Sequence, residues 1–319
     1  METSLLGTSN IPITKIVMGT WQTGKSMWTG IEDQESIKAL QAAYDAGITS
    51  FDTAEIYGNG HSEQIIGKAL GHLRQKITIF SKVYANHFHH DQVIEACHRS
   101  LKHLGTDYLD LYQIHWPSGS WGTEIVPVAE TMGALNQLLE QGKIRAIGVS
   151  NFSRLQMEEA AAFGPIQSLQ PPYSLFWRFV EQDAGPYCRE QDISILAYSP
   201  LAQGILTGKF GPDHKFDPGD HRSTNKLFRP HNYARIQQAL ADLRPIALEK
   251  GINLAQLSLA WLIAQPKTHA IVGARNAQQI TDSAKAGLVS LSRQEWETID
   301  RIGRRVTDHL ERDPVLWTF

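Results

Sequence analysis

Ile48-Thr49-Ser50-Phe51-Asp52 is a short apolar run ending on a carboxylate, and Thr53-Ala54-Glu55-Ile56-Tyr57-Gly58 carries it into the turn dipeptide Asn59-Gly60. The run has the length of a buried strand, and an acid and a phenol lie at its exit. Upstream, residues 32–47 place Ile37, Leu40, Ala43 and Tyr44 at helical spacing and stop at Gly47. Downstream, Ser62 and Glu63 open a second helix that ends near Gly71. Helix, strand, loop, helix is the repeating unit of a parallel sheet covered by helices.

The rhythm continues in both directions. Ile16 to Gly19 is a first core strand, preceded by two apolar runs split at Ser9-Asn10, the pattern of a hairpin. Further strands are expected at 76–83, 108–115, 144–149, 166–170, 193–198 and 269–272. Helices are expected at 91–104, 126–141, 153–162, 181–191, 253–264, 277–286 and 292–304. About eight strands alternating with helices predict an α/β fold closed as a (β/α)8 TIM barrel. One segment breaks the rhythm. Residues 200–229, after the seventh strand, carry several Gly and Pro and little periodicity, the mark of a long functional loop. No composition shift divides the chain, so residues 1–319 read as one domain.

Bulk properties narrow the function classes. Of 319 residues, 42% are hydrophobic and 20% charged, ordinary values for a globular protein with a large core. A net charge of -3 argues against a nucleic-acid binder. Two cysteines, Cys97 and Cys188, do not make a disulfide framework and fit a reducing cytoplasm. The start has neither a basic n-region nor an apolar h-region, and no stretch approaches a membrane span. The expectation is a cytoplasmic protein, a monomer or weak homo-oligomer, whose partner is a small molecule.

A barrel delivers its strand ends to one mouth. Asp52 ends the second strand with Tyr57 just beyond, Lys82 sits late in the third, and His115 ends the fourth. Ser150 and Asn151 follow the fifth, Gln170 ends the sixth and Tyr198 the seventh. Taken singly, each has a plain structural reading: an ion pair, a packed aromatic, a turn cap. Together they are harder to dismiss, because a buried lysine and aspartate are costly unless paired. A cation beside a phenol favours phenolate, which predicts a lowered pKa for Tyr57. A tyrosine able to give and take a proton, with an imidazole to polarise a carbonyl, suits carbonyl reduction by a bound hydride source.

The chain resembles an aldo-keto reductase nearly end to end. The resemblance rests on Met18-Gly19-Thr20-Trp21, Asp52 to Gly58, Leu104 to Leu111, Gly142 to Phe152 and Ser199-Pro200-Leu201-Ala202-Gln203-Gly204. The last run, continuing to Leu206-Thr207-Gly208-Lys209-Phe210, is more similar to the bacterial general-reductase and potassium-channel β-subunit branch than to the aldose reductase branch. The resemblance implies a (β/α)8 barrel and NADPH-dependent reduction of aldehydes or ketones. It makes Tyr57 the general acid, Lys82 the lysine that tunes it, Asp52 the carboxylate paired with that lysine, and His115 the residue orienting the carbonyl. Ser150, Asn151 and Gln170 would hold the nicotinamide carboxamide, and Tyr198 would stack on the ring. Gly19, Thr20 and Trp21 lie where the family loop meets cofactor and substrate.

No Gly-x-Gly-x-x-Gly follows the first strand, so a Rossmann site is absent. The resemblance instead spreads the dinucleotide across the mouth. Its pyrophosphate falls under Ser199, Pro200, Leu201, Gly204, Leu206 and Lys209. Its adenine end falls on Gly273, Arg275 and Gln279, with Arg275 as charge for a 2′-phosphate. Arg222 could reach cofactor or an anionic substrate as well as solvent. Much of the family has Lys at the position of Gly273 and Arg at that of Gln279, while the channel-subunit branch also uses Gly and Gln. NADPH is therefore expected, with NADH as the alternative.

At the substrate end, Trp21, Trp28, Tyr57, Tyr84, His115 and Trp116 are expected to wall the pocket, with Phe176 and Trp317 as further candidates. Such walls suit aromatic or mid-sized apolar carbonyls. His87-Phe88-His89-His90 invites a metal reading, but no second ligand cluster accompanies it, so no metal is expected. Glu55 reads as ordinary loop charge. Two rival functions use the same residues: an NADPH-binding regulatory or redox-sensing protein with little turnover, and a Schiff-base lyase acting through Lys82. Asp52 argues against the second, because it keeps the lysine protonated.

Overall fold

A computed structural model describes residues 1–26, 28, 30–217 and 220–310. The chain opens with β1 (Thr3–Leu5) and β2 (Pro12–Thr14), an antiparallel hairpin, and then enters β3 (Ile16–Gly19). There follow α1 (Asp33–Asp45), β4 (Ser50–Asp52), α2 (His61–Leu70), β5 (Thr78–Val83) and α3 (His90–Leu104). Next come β6 (Leu111–Ile114), α4 (Val128–Glu140), β7 (Ile147–Ser150), α5 (Arg154–Ala161), β8 (Ser168–Gln170), α6 (Ala184–Glu190) and β9 (Ser194–Ala197). The last third holds α7 (Pro230–Glu249), α8 (Leu254–Ile263), β10 (Thr268–Gly273), α9 (Ala277–Ala284) and α10 (Arg293–Thr307).

Strands β3 to β9 pair in parallel with their sequence neighbours, and β10 pairs with both β9 and β3 to close an eight-stranded barrel. This is the expected (β/α)8 architecture with its N-terminal hairpin. The barrel strands are buried except at a few end residues, so they read as apolar runs rather than alternations. Helices end where local chemistry stops them. Gly105 closes α3 in a left-handed conformation, and the capping boxes of Ser153 with Gln156 and Ser292 with Glu295 open α5 and α10. Pro127 stands at the N-cap of α4 rather than inside its first turn.

The hairpin plugs the bottom of the barrel. Leu6 and Ile13 pack with Val17, Phe80, Leu111 and Leu196 in a cluster inside the strands. Hydrogen bonds tie the hairpin to strand starts: Gly7 N–H donates to Ser194 Oγ at 2.8 Å and Thr14 N–H to Ser50 Oγ at 3.0 Å. His269, fully buried in β10, bonds Thr14 O through Nδ1 and Ser4 Oγ through Nε2, each at 3.0 Å.

One element goes beyond the sequence expectation. Helix α7 fills a stretch left unassigned between the long loop and α8. Tyr233, Ile236, Leu240, Leu243 and Ala247 are its buried stripe, at helical spacing, and Pro230 starts it. The loop before it is partly ordered into short 3-10 turns at Ala202–Thr207, His221–Thr224 and Lys226–Phe228. No helix among the described residues is long and apolar enough to cross a membrane.

Candidate active site

Asp52 is the last residue of β4, and the parallel pairing with β5 sets it opposite Phe80, two residues before Lys82. Lys82 Nζ donates to Asp52 Oδ1 and to Thr53 O, each at 2.7 Å. The other carboxylate oxygen accepts from Gln170 Nε2 at 2.9 Å. Lys82 is 0% exposed and Asp52 2% exposed. Two charges this deep persist only because each satisfies the other, and removing one partner of such a pair costs about 3–5 kcal/mol. Lys82 lies behind the cavity wall rather than in it.

Tyr57 stands in front of that pair, with Lys82 Nζ 5.1 Å from the centre of its ring. His115 follows β6 directly, and its ring meets Tyr57 at 5.8 Å and 77° and Tyr84 at 5.8 Å and 78°. The imidazole is thus held between two phenols. Burial drives the Tyr57 pKa well above its usual value, and the charge of Asp52 and the neighbouring Tyr198 add to the effect. The expected lowering by Lys82 is not found. Asp52 neutralises the lysine at contact distance, so burial dominates. Burial and the Lys82 charge hold His115 well below the usual histidine range, so its ring is neutral near pH 7. His115 Nδ1 has no hydrogen-bond partner among the described residues.

The tips of β7, β8 and β9 form the adjoining wall. Ser150 Oγ donates to Gln170 O at 2.8 Å. Asn151 Nδ2 donates to His115 O at 3.1 Å, while its Oδ1 accepts from the Tyr198 hydroxyl at 2.9 Å. Asn151 and Ser199 hold left-handed backbone, with φ of 61° and 50°. Such backbone at the exits of β7 and β9 persists only where surrounding contacts over-determine it.

These groups line one cavity of about 1320 Å³. Ordinary ligand pockets hold roughly 300–1,000 Å³, so this one has room for two molecules at once. Tyr57, Tyr84, His115, Trp21, Trp28 and Trp116 line it, as do Asp52, Ser150, Asn151, Gln170 and Tyr198. Gly19, Thr20, Ser199, Pro200, Leu201, Gly204, Lys209, Arg222, Gly273, Arg275 and Gln279 continue the wall. Leu206 does not line it; its side chain is fully buried in the core. Phe176 is likewise a core residue, because the turn after β8 folds inward there. Trp317 lies outside the described residues.

Lys209, Arg222 and Arg275 give one end of the cavity its charge. Burial lowers the Lys209 pKa, and the charges of Arg222 and Arg275 lower it further. Arg222 is braced by Asp220 and lies over the Phe210 and Phe216 rings at 5.6 and 5.1 Å. Arg275 Cζ lies 5.2 Å from the Trp28 ring centre, and its backbone N–H donates to Gln279 Oε1 at 2.9 Å. Gln279 therefore orders the turn that presents Arg275.

Comparison with known proteins decides the family. The Aldo/keto reductase family model matches residues 15–304. This chain belongs to the aldo-keto reductase family. It is 35% identical over 314 residues to aldo-keto reductase YhdN of Bacillus subtilis, covering 95% of this chain and 93% of that protein. It is 32% identical over 310 residues to the NADH-specific methylglyoxal reductase of Escherichia coli, covering 90% and 94%. Among solved structures, an aldo-keto reductase from Klebsiella pneumoniae in complex with NADPH aligns over 100% of this chain and 99% of its own at 29% identity, with a TM-score of 0.77.

Several residues of this aldo-keto reductase's cavity escape a reading by motif. Trp121, 44% exposed, lines the substrate end and meets Trp116 edge-on at 5.1 Å. Its signal was position, on the loop just after His115. Asn253, Gln256 and Asp282 line the cationic end. The first two also form the capping box of α8, which masked them as structural. The histidine run contacts carboxylates: His87 meets Glu55, His89 meets Glu124 and Glu130, and His90 meets Asp91. Among the described residues, no group of three or more His, Cys, Asp or Glu is placed to hold a metal. Glu55 is not ordinary loop charge. Its side chain is 10% exposed and accepts from Tyr84 N–H at 2.8 Å, His87 Nδ1 at 3.0 Å and Arg99 Nη2 at 3.1 Å.

Proposed function

We propose that this aldo-keto reductase reduces aldehydes and ketones to alcohols, using NADPH and with Tyr57 as the proton donor. The observation that carries this is the buried Asp52–Lys82 pair behind Tyr57, with neutral His115 at its side, in a cavity whose other end is cationic. Burial and two cations, Arg222 and Arg275, depress Lys209, and the three together suit an anion that neutralises them. A dinucleotide phosphate is such an anion, and a cavity of about 1320 Å³ has room for it beside a substrate. Lys209, Arg222 and Arg275 would hold its phosphates. Ser150, Asn151, Gln170 and Tyr198 would hold its other end.

Bound there, the cofactor supplies the hydride that reaches the carbonyl carbon. The chain supplies the proton and the orientation. Tyr57 enters in its acid form, because burial keeps the phenol protonated. Its O–H bond breaks as the carbonyl oxygen takes the proton, and the alcohol is complete. The phenolate left behind has Lys82 Nζ 5.1 Å from its ring centre, and the lysine, though paired with Asp52, offsets part of the new charge. His115 stays neutral, so it orients the oxygen without competing for the proton. Trp21, Trp28, Trp116 and Tyr84 favour an aromatic or mid-sized apolar substituent on the carbonyl. The Schiff-base alternative has no support in the geometry, since Lys82 Nζ is held by Asp52 and Thr53 O.

The test is aldehyde-dependent oxidation of NADPH over many turnovers. Tyr57→Phe is expected to lower kcat by about 100-fold or more, the usual weight of a general acid, with cofactor Kd unchanged. Equal rates for the two proteins would remove Tyr57 from the mechanism. Tight cofactor binding by wild type with no turnover would favour a sensing role instead.

A further inference from the structure

We propose that Glu55 is a positioning residue for the reaction: it sets the spacing of the two tyrosines that grip His115. The proposal rests on the reading of Tyr57 and His115 above. His115 is held edge-on by Tyr57 on one side and Tyr84 on the other, at equal centroid distances of 5.8 Å. Tyr57 and Tyr84 leave different strands, β4 and β5. Glu55 joins them. It precedes Tyr57 by two residues in the same turn, and its Oε1 takes the backbone N–H of Tyr84 at 2.8 Å. A carboxylate is suited to this task because its second oxygen stays available. Oε2 accepts from Arg99 Nη2 at 3.1 Å, on α3, while Oε1 also accepts from His87 Nδ1 at 3.0 Å. Arg99 and His87 therefore fix the carboxylate on the side away from the cavity. The bond to Tyr84 fixes it on the near side.

The arrangement is more than a surface pair. The side chain of Glu55 is 10% exposed, and it collects three donors from the β5–α3 loop and α3. Its own backbone N–H is directed to Lys82 O at 3.4 Å, so the turn carrying Tyr57 is tied to β5 by main chain and side chain together. A short nonpolar residue at position 55 would leave the Tyr84 N–H without its acceptor and free the β5–α3 loop to move. Tyr84 would then shift relative to Tyr57, and the imidazole between them would lose one wall. Glu55 touches neither substrate nor reacting atoms. It acts through Tyr84 and His115, so the step it affects is orientation of the carbonyl.

The experiment compares wild type with Glu55→Ala, Glu55→Gln and Arg99→Ala, each first checked for native circular dichroism and melting. Displacement by about 1 Å at a reacting centre costs roughly 100-fold in rate. Glu55→Ala is accordingly expected to lose at least tenfold in kcat/KM for a carbonyl substrate while NADPH Kd stays within twofold. Glu55→Gln keeps an acceptor for Tyr84 and is expected to recover most of the loss. Arg99→Ala should fall between. Independently of turnover, the ring resonances of His115 should move in Glu55→Ala and return in Glu55→Gln. Unchanged His115 resonances and unchanged kcat/KM in Glu55→Ala overturn the proposal. So does a loss of cofactor affinity equal to the loss in kcat/KM, which marks general distortion. If wild type reduces no carbonyl at all, the functional reading fails while the resonance comparison still decides the role of Glu55.

Discussion

Tyr57 is an acid whose environment keeps it an acid. The sequence places a lysine near it, and counting charges alone predicts a lowered pKa. The structure reverses the direction, because Asp52 cancels Lys82 at 2.7 Å and burial then decides. Identity and order of the four polar residues were legible in the chain, since each falls at a strand exit. The sign of their electrostatics was not, because it depends on a contact between strands. Arg275 is a second case. Its role toward a phosphate is expected from position, but its support by Gln279 and Trp28 rests on how the loops fold onto one another. Arg275→Ala should weaken NADPH binding roughly tenfold or more, the value of a charge-assisted hydrogen bond. NADH binding should change far less. Fluorescence titration with both cofactors measures this, and equal losses for the two would detach Arg275 from the 2′-phosphate. The preference for NADPH over NADH that the proposal expects should also shrink as salt screens the exposed cations.

At the scale of elements, the loop after β3 and the turn after β4 meet backbone to backbone. A Cβ added to Gly24 would stand 2.6 Å from the carbonyl carbon of Tyr57 and 2.8 Å from Gly58 N. Main chain cannot give way as a side chain can. Gly24→Ala should therefore push the Tyr57 turn out of place and lower kcat by roughly 100-fold, the cost of misplacing a reacting group by an ångström. Circular dichroism should stay native, because both segments lie above the barrel. A rate within twofold of wild type would show that the turn absorbs the change. Nothing in the local sequence marks Gly24, as the contact joins two loops. Most strands and helices were legible because barrel strands are short apolar runs and the helices have one buried stripe. Helix α7 obeys the same rule, from Tyr233 to Ala247, but the irregular segment before it interrupts the strand–helix rhythm. Glu55 was misread because its donors come from a neighbouring loop and helix.

For the whole molecule, the hairpin and the barrel are joined at His269. Its ring is buried, bonded to Thr14 O and Ser4 Oγ, and burial lowers its pKa to about 4. The unfolded chain binds this proton with a pKa near 6.5. Between those values the unfolded state holds more protons, so stability is complete above pH 6.5 and falls as the pH drops toward 4. The histidine accounts for a loss on the order of 3 kcal/mol across that window. His115 loses stability in the same direction. His269→Gln should flatten the pH dependence of the urea midpoint between pH 6.5 and 4, leaving the parts due to His115 and the other shifted groups. An unchanged slope would assign it to other groups.

The plugged floor also governs traffic. Among the described residues, Leu6 and Ile13 fill the lower end of the barrel, and the cavity lies at the opposite end, against the strand tips. Two ligands sharing such a one-ended chamber, one against the strand tips and one above it, would have to form a queue, first in and last out.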